Sequence, residues 1–405
     1  MMKSLMAVSV CALLLLLTAT SNSEERFQSP ERVVDEPVDK PYSLVFLRDF
    51  QLDDGSWGAK TGHPESRKDA KANGAEVKCE SEDGAEEDNT ANTSLALLKF
   101  LGVGYDHTDG PFQVTCRKAI KFLRRKQTET GLFSDNIVHH CFALKAMSEA
   151  YGLSGLALLK PMCDKAVEAL QLAQHEDGGF GDNDKSNTIA TTWAVLALST
   201  AKICSMEIDA EVRVNAYKYI ESLRKNTFVK YSKGEKYPPQ VGNKLKKRLP
   251  VCEAGWVLAA LFSGELKFDD ELVTKMTSIF VKKGKLPEWK ANNIDMQYCY
   301  FTTLAQFQCG GKNWKVWSKA LGRQLLDSQR GFSKADKDAE RTSSKKTLEY
   351  GSWDPAGINA HNYGRVYSTC MAGLCLDIYN RAGRKADPDD KDGPDPEDIK
   401  AAKDR

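Results

Sequence analysis

The chain has 405 residues, of which 57 are basic and 56 are acidic, so its formal net charge is +1. A charge this close to zero provides no field that would attract nucleic acid or an anionic membrane, and we expect neither as a partner.

The first residues resemble an export signal. Lys3 precedes an uncharged stretch from Leu5 to Ala19, which is too short for a comfortable membrane span. We predict a signal peptide over residues 1–23, with an uncleaved anchor as the alternative, and an N-terminal extension over residues 24–41. The mature protein should then be secreted, or periplasmic in a bacterium, with no transmembrane anchor.

A turn built from glutamine, glycine and an aromatic residue recurs along the chain. Two copies are separated by 174 − 127 = 47 residues, the length of one helix pair with its turns. The glycine allows a tight reversal and the aromatic can fill the gap between neighbouring pairs. The copies run from Gln51 to Gly58, from Gln127 to Phe133 and from Gln174 to Gly181, with a looser copy at Gln329 to Phe332 and Gly351 to Trp353.

Amphipathic helices alternate with helices that are apolar nearly all round. The first kind should face water and the second should be enclosed by protein. The predicted outer helices are 42–51, 113–127, 162–174, 211–225, 270–283 and 313–329, and the inner ones are 92–104, 137–152, 188–202, 251–263, 295–309 and 366–380. Six such pairs predict an all-α fold over residues 42–382, an α6/α6 toroid with a central funnel. An open solenoid is the alternative.

The turns resemble the repeats of the prenyltransferase and squalene/terpene cyclase superfamily over residues 42–381. A closer likeness is to secreted prenyltransferase/squalene-oxidase-repeat proteins of largely unassigned function. It is carried by three segments: His140 to Gly152, Tyr298 to Gln308 with Trp314 and Trp317, and Gly351 to Pro355 leading to Gly364 to Thr369. The resemblance implies an α/α toroid whose cavity is lined at the amino ends of the inner helices.

Two segments interrupt the pattern. Residues 59–88 are rich in charge and lack apolar periodicity, so we predict a surface insertion, and residues 383–405 form a Pro/Asp-rich tail that we expect to be disordered. The tail does not match a calcium-binding loop, although weak calcium association stays open. Asn92 heads a glycosylation sequon, and its alternative role is to begin an inner helix.

Ten of the 11 cysteines follow the predicted signal. Most lie in apolar helices, where a free thiol behaves as a small core residue. Cys116 and Cys163 occupy equivalent places in successive outer helices, so a bridge between them is possible.

The chemistry of the resembled families is only partly present. The chain lacks the Asp-x-Asp-Asp acid of class II cyclases, and its nearest candidates, Asp53-Asp54 and Asp182 to Asp184, are expected to cap helices or solvate turns. The zinc ligands of protein prenyltransferases are not matched, because neighbours such as His139 and His140 point about 100° apart on a helix. The thioester motif of complement-like proteins is also missing. We therefore predict no metal and no cofactor.

The candidate ligand-binding residues are polar and aromatic side chains near the starts of inner helices. They are Asn136, His140, Trp193, Trp256, Asp295, Tyr298, Tyr300, His361, Arg365 and Tyr367. The alternative role of each aromatic is to fill the core of the ring. Arg365 needs a partner to be buried, either a ligand anion or Asp354 or Asp295.

These observations predict a secreted toroid that binds an apolar or isoprenoid-like guest in its funnel. A secreted enzyme acting on terpenoids or polysaccharides is one alternative, and an extracellular scaffold that binds another protein is a second.

Overall fold

A computed structural model describes residues 42–60, 88–238, 249–290, 294–331, 350–357 and 359–383. The predicted signal peptide, the N-terminal extension, most of the charged insertion and nearly all of the tail lie outside these residues.

Twelve helices in the described residues alternate between an outer and an inner layer. The outer helices are α1 (Tyr42–Asp49), α3 (Gln113–Lys126), α5 (Lys160–Leu172), α7 (Ala210–Ser222), α9 (Glu271–Phe280) and α11 (Gly311–Ser328). The inner helices are α2 (Thr90–Gly102), α4 (Ile137–Ser154), α6 (Thr188–Ile203), α8 (Val251–Ser263), α10 (Met296–Cys309) and α12 (Ala360–Gly383). A short antiparallel hairpin, β1 (Arg224–Lys225) and β2 (Phe228–Val229), follows α7.

The inner helices form a closed ring. Each packs against the next in chain order, and α12 returns to pack against α2. The predicted all-α toroid is therefore confirmed, and the open solenoid is wrong. No helix among the described residues has the length and apolar character needed to cross a bilayer.

The two layers follow from composition. In α8 every residue from Val251 to Phe262 is buried, whereas α7 buries Val212, Ala216, Tyr219 and Ile220 and exposes much of its remaining surface. A helix without a polar face needs protein on all sides, so it occupies the inner layer.

The repeated glutamine connects neighbouring outer helices. Gln127 Nε2 donates to the carbonyl oxygen of Gly131 in its own turn, at 3.1 Å, and to that of Met162 in α5, at 2.9 Å. Gln51 and Gln174 repeat this arrangement with Thr115 of α3 and Val212 of α7. The repeat is therefore a hydrogen-bonded joint of the ring.

The turn aromatics bond to the inner helices. The backbone N–H groups of Trp57, Phe180 and Trp353 donate to threonine hydroxyls of α2, α6 and α12, and that of Phe133 donates to His140 Nδ1 at 3.1 Å. His140 therefore replaces the threonine of the other repeats.

No disulfide joins any of the nine cysteines in the described part of the chain, Cys116 and Cys163 included. The possible bridge between these two is not formed. Both are fully buried, and burial raises the pKa of Cys163 to about 12, so this thiol is an inert core group.

Candidate functional site

The amino ends of α2, α4, α6 and α10 are capped by the chain's own polar side chains, whereas α8 has no side-chain cap. Asp88 Oδ1 accepts from Thr90 N at 3.1 Å in α2, and Asp295 Oδ1 accepts from Gln297 N and Tyr298 N in α10. In α4, Asn136 Oδ1 accepts from Val138 N and His139 N. These caps use N–H groups that would otherwise attract an anion. The capped ends form what we call the mouth of the ring.

Asp182 reaches the same place from the next turn. Its carboxylate accepts from Ile137 N at 2.9 Å and from Asn136 Nδ2 at 3.1 Å. The prediction that Asp182 caps a helix is confirmed. The helix is α4, which comes before the turn of Asp182 in the sequence. Asp182 thereby fixes the orientation of Asn136.

A cleft of about 420 Å³ opens at the mouth between the start of α4 and the end of α3. A volume of this size is typical of small-molecule sites. Its lining consists of Asp88, Lys126, Thr128, Phe133, Ser134, Asp135, Asn136 and His139.

Three side chains form a hydrogen-bonded series that begins in the cleft lining with Asp88 and His139 and continues to Tyr363 beside it. His139 Nδ1 lies 3.4 Å from Asp88 Oδ2, and His139 Nε2 lies 2.8 Å from Tyr363 Oη. His139 is 1% exposed, whereas Tyr363 is only partly buried. Burial raises the pKa of Asp88, but hydrogen bonds from His139, Ser134 and Thr90 outweigh this effect and hold that pKa well below its ordinary value. Asp88 is therefore a carboxylate at neutral pH.

Tyr363 is held by the kink that opens α12. Gly364 has φ +71°, and a Cβ there would lie 2.0 Å from the carbonyl oxygen of Ala59. Asn92 Nδ2 donates to the carbonyl oxygen of Tyr363 at 2.9 Å, and the Tyr363 ring stacks on Tyr367 at 5.3 Å. These contacts leave the tyrosine little freedom to move.

Asn92 is buried within α2, with 2% of its surface exposed. Of the two roles considered for it, the structure favours the helical one, because a buried amide offers no room for a glycan. The Oδ1 atom of Asn92 is buried and finds no hydrogen-bond partner among the described residues.

The centre of the inner ring is filled by aromatics. Trp193 of α6 stacks on Tyr300 of α10 with ring centroids 5.4 Å apart, and Phe142 of α4 meets it edge-on at 4.6 Å. Trp193 lies five residues into its helix, or about 8 Å below the mouth. Because α6 and α10 are not neighbours in the ring, this stack extends across its interior.

Three of the predicted site residues point away from the mouth toward the outer layer. His140 Nε2 lies 3.1 Å from the carbonyl oxygen of Ala166 in α5, and Trp256 Nε1 donates to Glu221 Oε2 in α7 at 2.6 Å. Tyr298 Oη donates to the carbonyl oxygen of Lys285 after α9. An inner helix has a face toward the outer layer as well as one toward the axis, and these residues lie on the former.

Arg365 is paired within the protein. Its Nη1 lies 2.7 Å from Asp354 Oδ1 and 3.0 Å from Ser352 Oγ. Of the partners considered from sequence, Asp354 is the one the structure gives. Arg330 binds the same carboxylate, so Arg365 belongs to a network beside the last turn.

Asp295, which caps α10 at the mouth, and Tyr367 of α12 are both buried. Burial raises the pKa of Asp295 to about 6, although hydrogen bonds from Tyr298 N and Gln297 N oppose it. Asn359 Nδ2 donates to Tyr367 Oη at 3.2 Å. His361 lies in α12, but its side chain is outside the described part of the chain.

The sequence analysis missed Asp88, His139 and Tyr363 as site residues. Asp88 was assigned to the charged insertion, although it begins the inner layer. The repeat itself could have identified His139. His140 is equivalent to Thr93 and Thr191, whose hydroxyls accept from the N–H groups of the turn aromatics. The adjacent His139 must therefore point in a different direction. Among the described residues, no three His, Cys, Asp or Glu side chains gather in a way that could hold a metal ion.

No protein-family model matches the chain, and no curated protein matches it. Several solved structures do match the chain in fold. An α-1,6-mannanase from Salegentibacter, studied with α-1,6-mannotetrose, superimposes with a TM-score of 0.55 at 12% identity, covering 84% of this chain and 98% of its own.

Two further structures cover the same share of this chain. An α-amylase from Clostridium perfringens gives a TM-score of 0.53 at 12% identity over 98% of its length. A type II terpene cyclase from Scytonema gives 0.50 at 12% identity over 95%. The resemblance to the terpene cyclase superfamily is thus confirmed for the fold, and the chain is an α/α toroid of the kind that these enzymes share.

Proposed function

We propose that this protein binds a small, hydroxyl-bearing guest of the saccharide or polyol class in the cleft at the mouth of the ring. The observation that carries the proposal is the convergence of polar side chains from α3, α4 and the start of α2 on one cleft of about 420 Å³. Binding sites combine such polar groups with an apolar surface, which Phe133 supplies here.

The caps disfavour an anionic guest. Asp88, Asp182 and Asp295 already occupy N–H groups of the inner helices, and their carboxylates add negative charge to the mouth. A diphosphate would meet repulsion rather than a free helix end. A neutral guest with several hydroxyl groups fits better, since it donates to carboxylates and accepts from Lys126.

The central aromatics disfavour a long apolar guest. Trp193, Tyr300 and Phe142 fill the interior below the mouth, where an isoprenoid chain would need space. The apolar guest expected from the sequence therefore remains a prediction to be tested beside the saccharide. Secretion belongs to the same proposal and rests on the first 23 residues.

A secreted enzyme is the second candidate. It is favoured by the series Asp88, His139 and Tyr363, because a carboxylate, an imidazole and a phenol in contact resemble a general acid–base arrangement. Two of the structural neighbours named above are an α-amylase and an α-1,6-mannanase, and this makes a saccharide the first compound to try.

Native mass spectrometry of the mature protein tests the proposal. The protein is equilibrated with α-1,6-mannotetraose, with a mixture of other neutral oligosaccharides, or with geranylgeraniol. We expect saccharide complexes that disappear in Asp135→Asn and persist in Asp164→Asn, a matched change on the outer helix α5. No saccharide complex, or a geranylgeraniol complex alone, would contradict the proposal. A shift in saccharide mass with time would favour the enzyme.

A further inference from the structure

We propose that the outer face of α3 binds a linear sulfated polysaccharide. The face is made of exposed basic side chains, and we call it the basic face of α3: Arg117, Lys118, Lys121, Arg124, Arg125 and Lys126. Of these residues Lys126 also lines the guest cleft, whereas the others lie outside its lining. The basic face is therefore a second surface, and the proposal does not depend on the proposed function.

The charge of α3 differs from that of the other outer helices. This helix carries six basic residues and no acidic residue. The helices α1, α5, α7 and α9 each carry equal numbers of basic and acidic residues, and α11 carries four basic residues and one acidic residue. A chain with a net charge of only +1 thus concentrates positive charge on one helix. Such a patch attracts a polyanion even though the net charge of the protein does not.

Most of these cations have no carboxylate beside them. Lys126 Nζ lies 3.6 Å from Asp88 Oδ1, and this is the one ion pair that the basic face makes within the described part of the chain. Arg117 Nε and Arg125 Nη2 donate to backbone carbonyl oxygens, both at 2.7 Å. A carbonyl oxygen carries no net charge, so the charges of these two guanidinium groups stay uncompensated.

The helix holds the cations in a regular array. Ala119 and Leu123 on its inner side are fully buried, which fixes α3 against the ring. Residues three or four positions apart on a helix are neighbours, so Arg117, Lys121 and Arg124 form a row along its surface. The whole basic face is about 14 Å long. A linear polymer with charges on successive units contacts several of these cations at once, whereas a small anion reaches only one or two.

Nucleic acids and membranes fit this face less well. Single-stranded nucleic acid binds by stacking its bases on aromatic side chains. The aromatic residue of α3, Phe122, is 5% exposed, and the cations of Arg125 and Lys126 lie 5.9 and 5.6 Å from its ring centroid. A helix that lies on a membrane inserts its apolar side, and that of α3 is already buried in the protein.

An acidic protein also fits less well than a polysaccharide. Protein interfaces depend on apolar or aromatic anchors that become buried. The large apolar side chain that α3 exposes is Val114, which lies at the opposite end of the helix from Lys126. A sulfated polysaccharide needs no such anchor. Its sulfate groups are ionised at neutral pH, and they accept charge-assisted hydrogen bonds from arginine and lysine side chains.

The test measures binding of a fluorescein-labelled heparin octasaccharide to the mature protein by anisotropy in about 0.05 M salt. Lys118→Gln with Lys121→Gln should weaken heparin binding at least about fivefold, because two surface contacts are lost. Lys218→Gln with Lys275→Gln removes two exposed lysines from α7 and α9 and should leave the affinity unchanged. Both double variants change the net charge equally. Equal affinities of the two double variants, or no heparin binding by the wild type, would overturn the proposal.

Salt and a second polymer test the chemistry of the partner. A bound polyanion releases counterions, so wild-type affinity for heparin should fall at least about tenfold between about 0.05 M and about 0.5 M salt. An oligothymidylate of equal charge should bind more weakly than heparin. Affinity that does not respond to salt, or tighter binding of the oligothymidylate, would overturn the proposal. Because Lys118 and Lys121 do not line the guest cleft, these outcomes are distinct from failure of the proposed function.

Discussion

Lys99 Nζ lies 2.7 Å from Asp377 Oδ1, and the two side chains are each 1% exposed. Lys99 belongs to α2, the first inner helix, and Asp377 to α12, the last. This buried ion pair therefore joins the first and the last inner helix at the point where the ring closes.

Removing one partner of this pair should destabilise the fold. Lys99→Met leaves the Asp377 carboxylate buried without its lysine, and we expect the free energy of unfolding to fall by about 3–5 kcal/mol. The double variant Lys99→Met with Asp377→Leu should recover most of that loss, since no buried charge then remains. Urea unfolding checks both. A double variant as unstable as the single one would show that the pair itself supplies the stability.

The glycine turns predict a contrast between two substitutions. Gly131 and Gly104 both have positive φ, but a Cβ at Gly131 would lie 2.4 Å from the carbonyl oxygen of Lys165, whereas Gly104 has nothing within 4 Å. Both alanine variants carry the backbone strain of about 1 kcal/mol. The free energy of unfolding in urea should be lower for Gly131→Ala than for Gly104→Ala by at least about 2 kcal/mol, because α5 must shift to admit the new Cβ. Equal losses would show that the close approach is easily relieved.

Asp295 predicts a dependence of stability on pH. Its pKa in the folded protein is about 6, above the ordinary 3.8. The folded state therefore favours the protonated acid. The stability that this acid contributes is fully present below pH 3.8 and is lost as the pH rises through about 6. Asp295→Asn keeps a capping oxygen but does not titrate. Its free energy of unfolding minus that of wild type should therefore rise by on the order of 3 kcal/mol between pH 3.5 and pH 7.

The check is the free energy of unfolding of both proteins from pH 3.5 to pH 7. Asp88→Asn serves as a control of opposite sign, because the pKa of Asp88 is lowered in the folded state. The ionised Asp88 stabilises the fold at pH values above the ordinary pKa of an aspartate, and this stability is lost as the pH falls. Parallel profiles for wild type and Asp295→Asn would contradict the prediction.

Arg365 should be important for folding rather than for the guest. Arg365→Ala removes its contacts with Asp354 and Ser352 and should lower the free energy of unfolding by about 2 kcal/mol. Saccharide affinity should change less than about twofold, since the guanidinium already has partners. Arg323→Ala, at an exposed position of α11, should leave both quantities unchanged. Loss of binding with unchanged stability would place Arg365 in the site.

The fold could be predicted because its signals are local. Gln127 and Gly131 mark a turn by residue type, and the alternation of amphipathic with uniformly apolar helices gives the two layers. Closure into a ring followed from the number of pairs. The ion pair between Lys99 and Asp377 could not be predicted, because it joins residues 278 positions apart.

The site could be predicted only in part, for a reason that lies in the inner helices themselves. A helix such as α4 is apolar all round, so its sequence does not show which face turns to the axis and which to the outer layer. Trp256 and Tyr298 therefore looked like mouth residues although they bond to the outer layer. Asn136 differs from these residues because it caps α4, and a helix cap has a fixed position whatever the rotation of the helix.

We propose that the guest lies at the mouth and not at the ring centre. The most direct test is amide and indole NMR of the labelled protein during titration with the saccharide selected by mass spectrometry. We predict that the amides of residues 134–139 and of Tyr363 shift together, while the indole N–H of Trp193 does not. Shifts confined to Trp193 and Tyr300, or to the outer helices, would contradict the account.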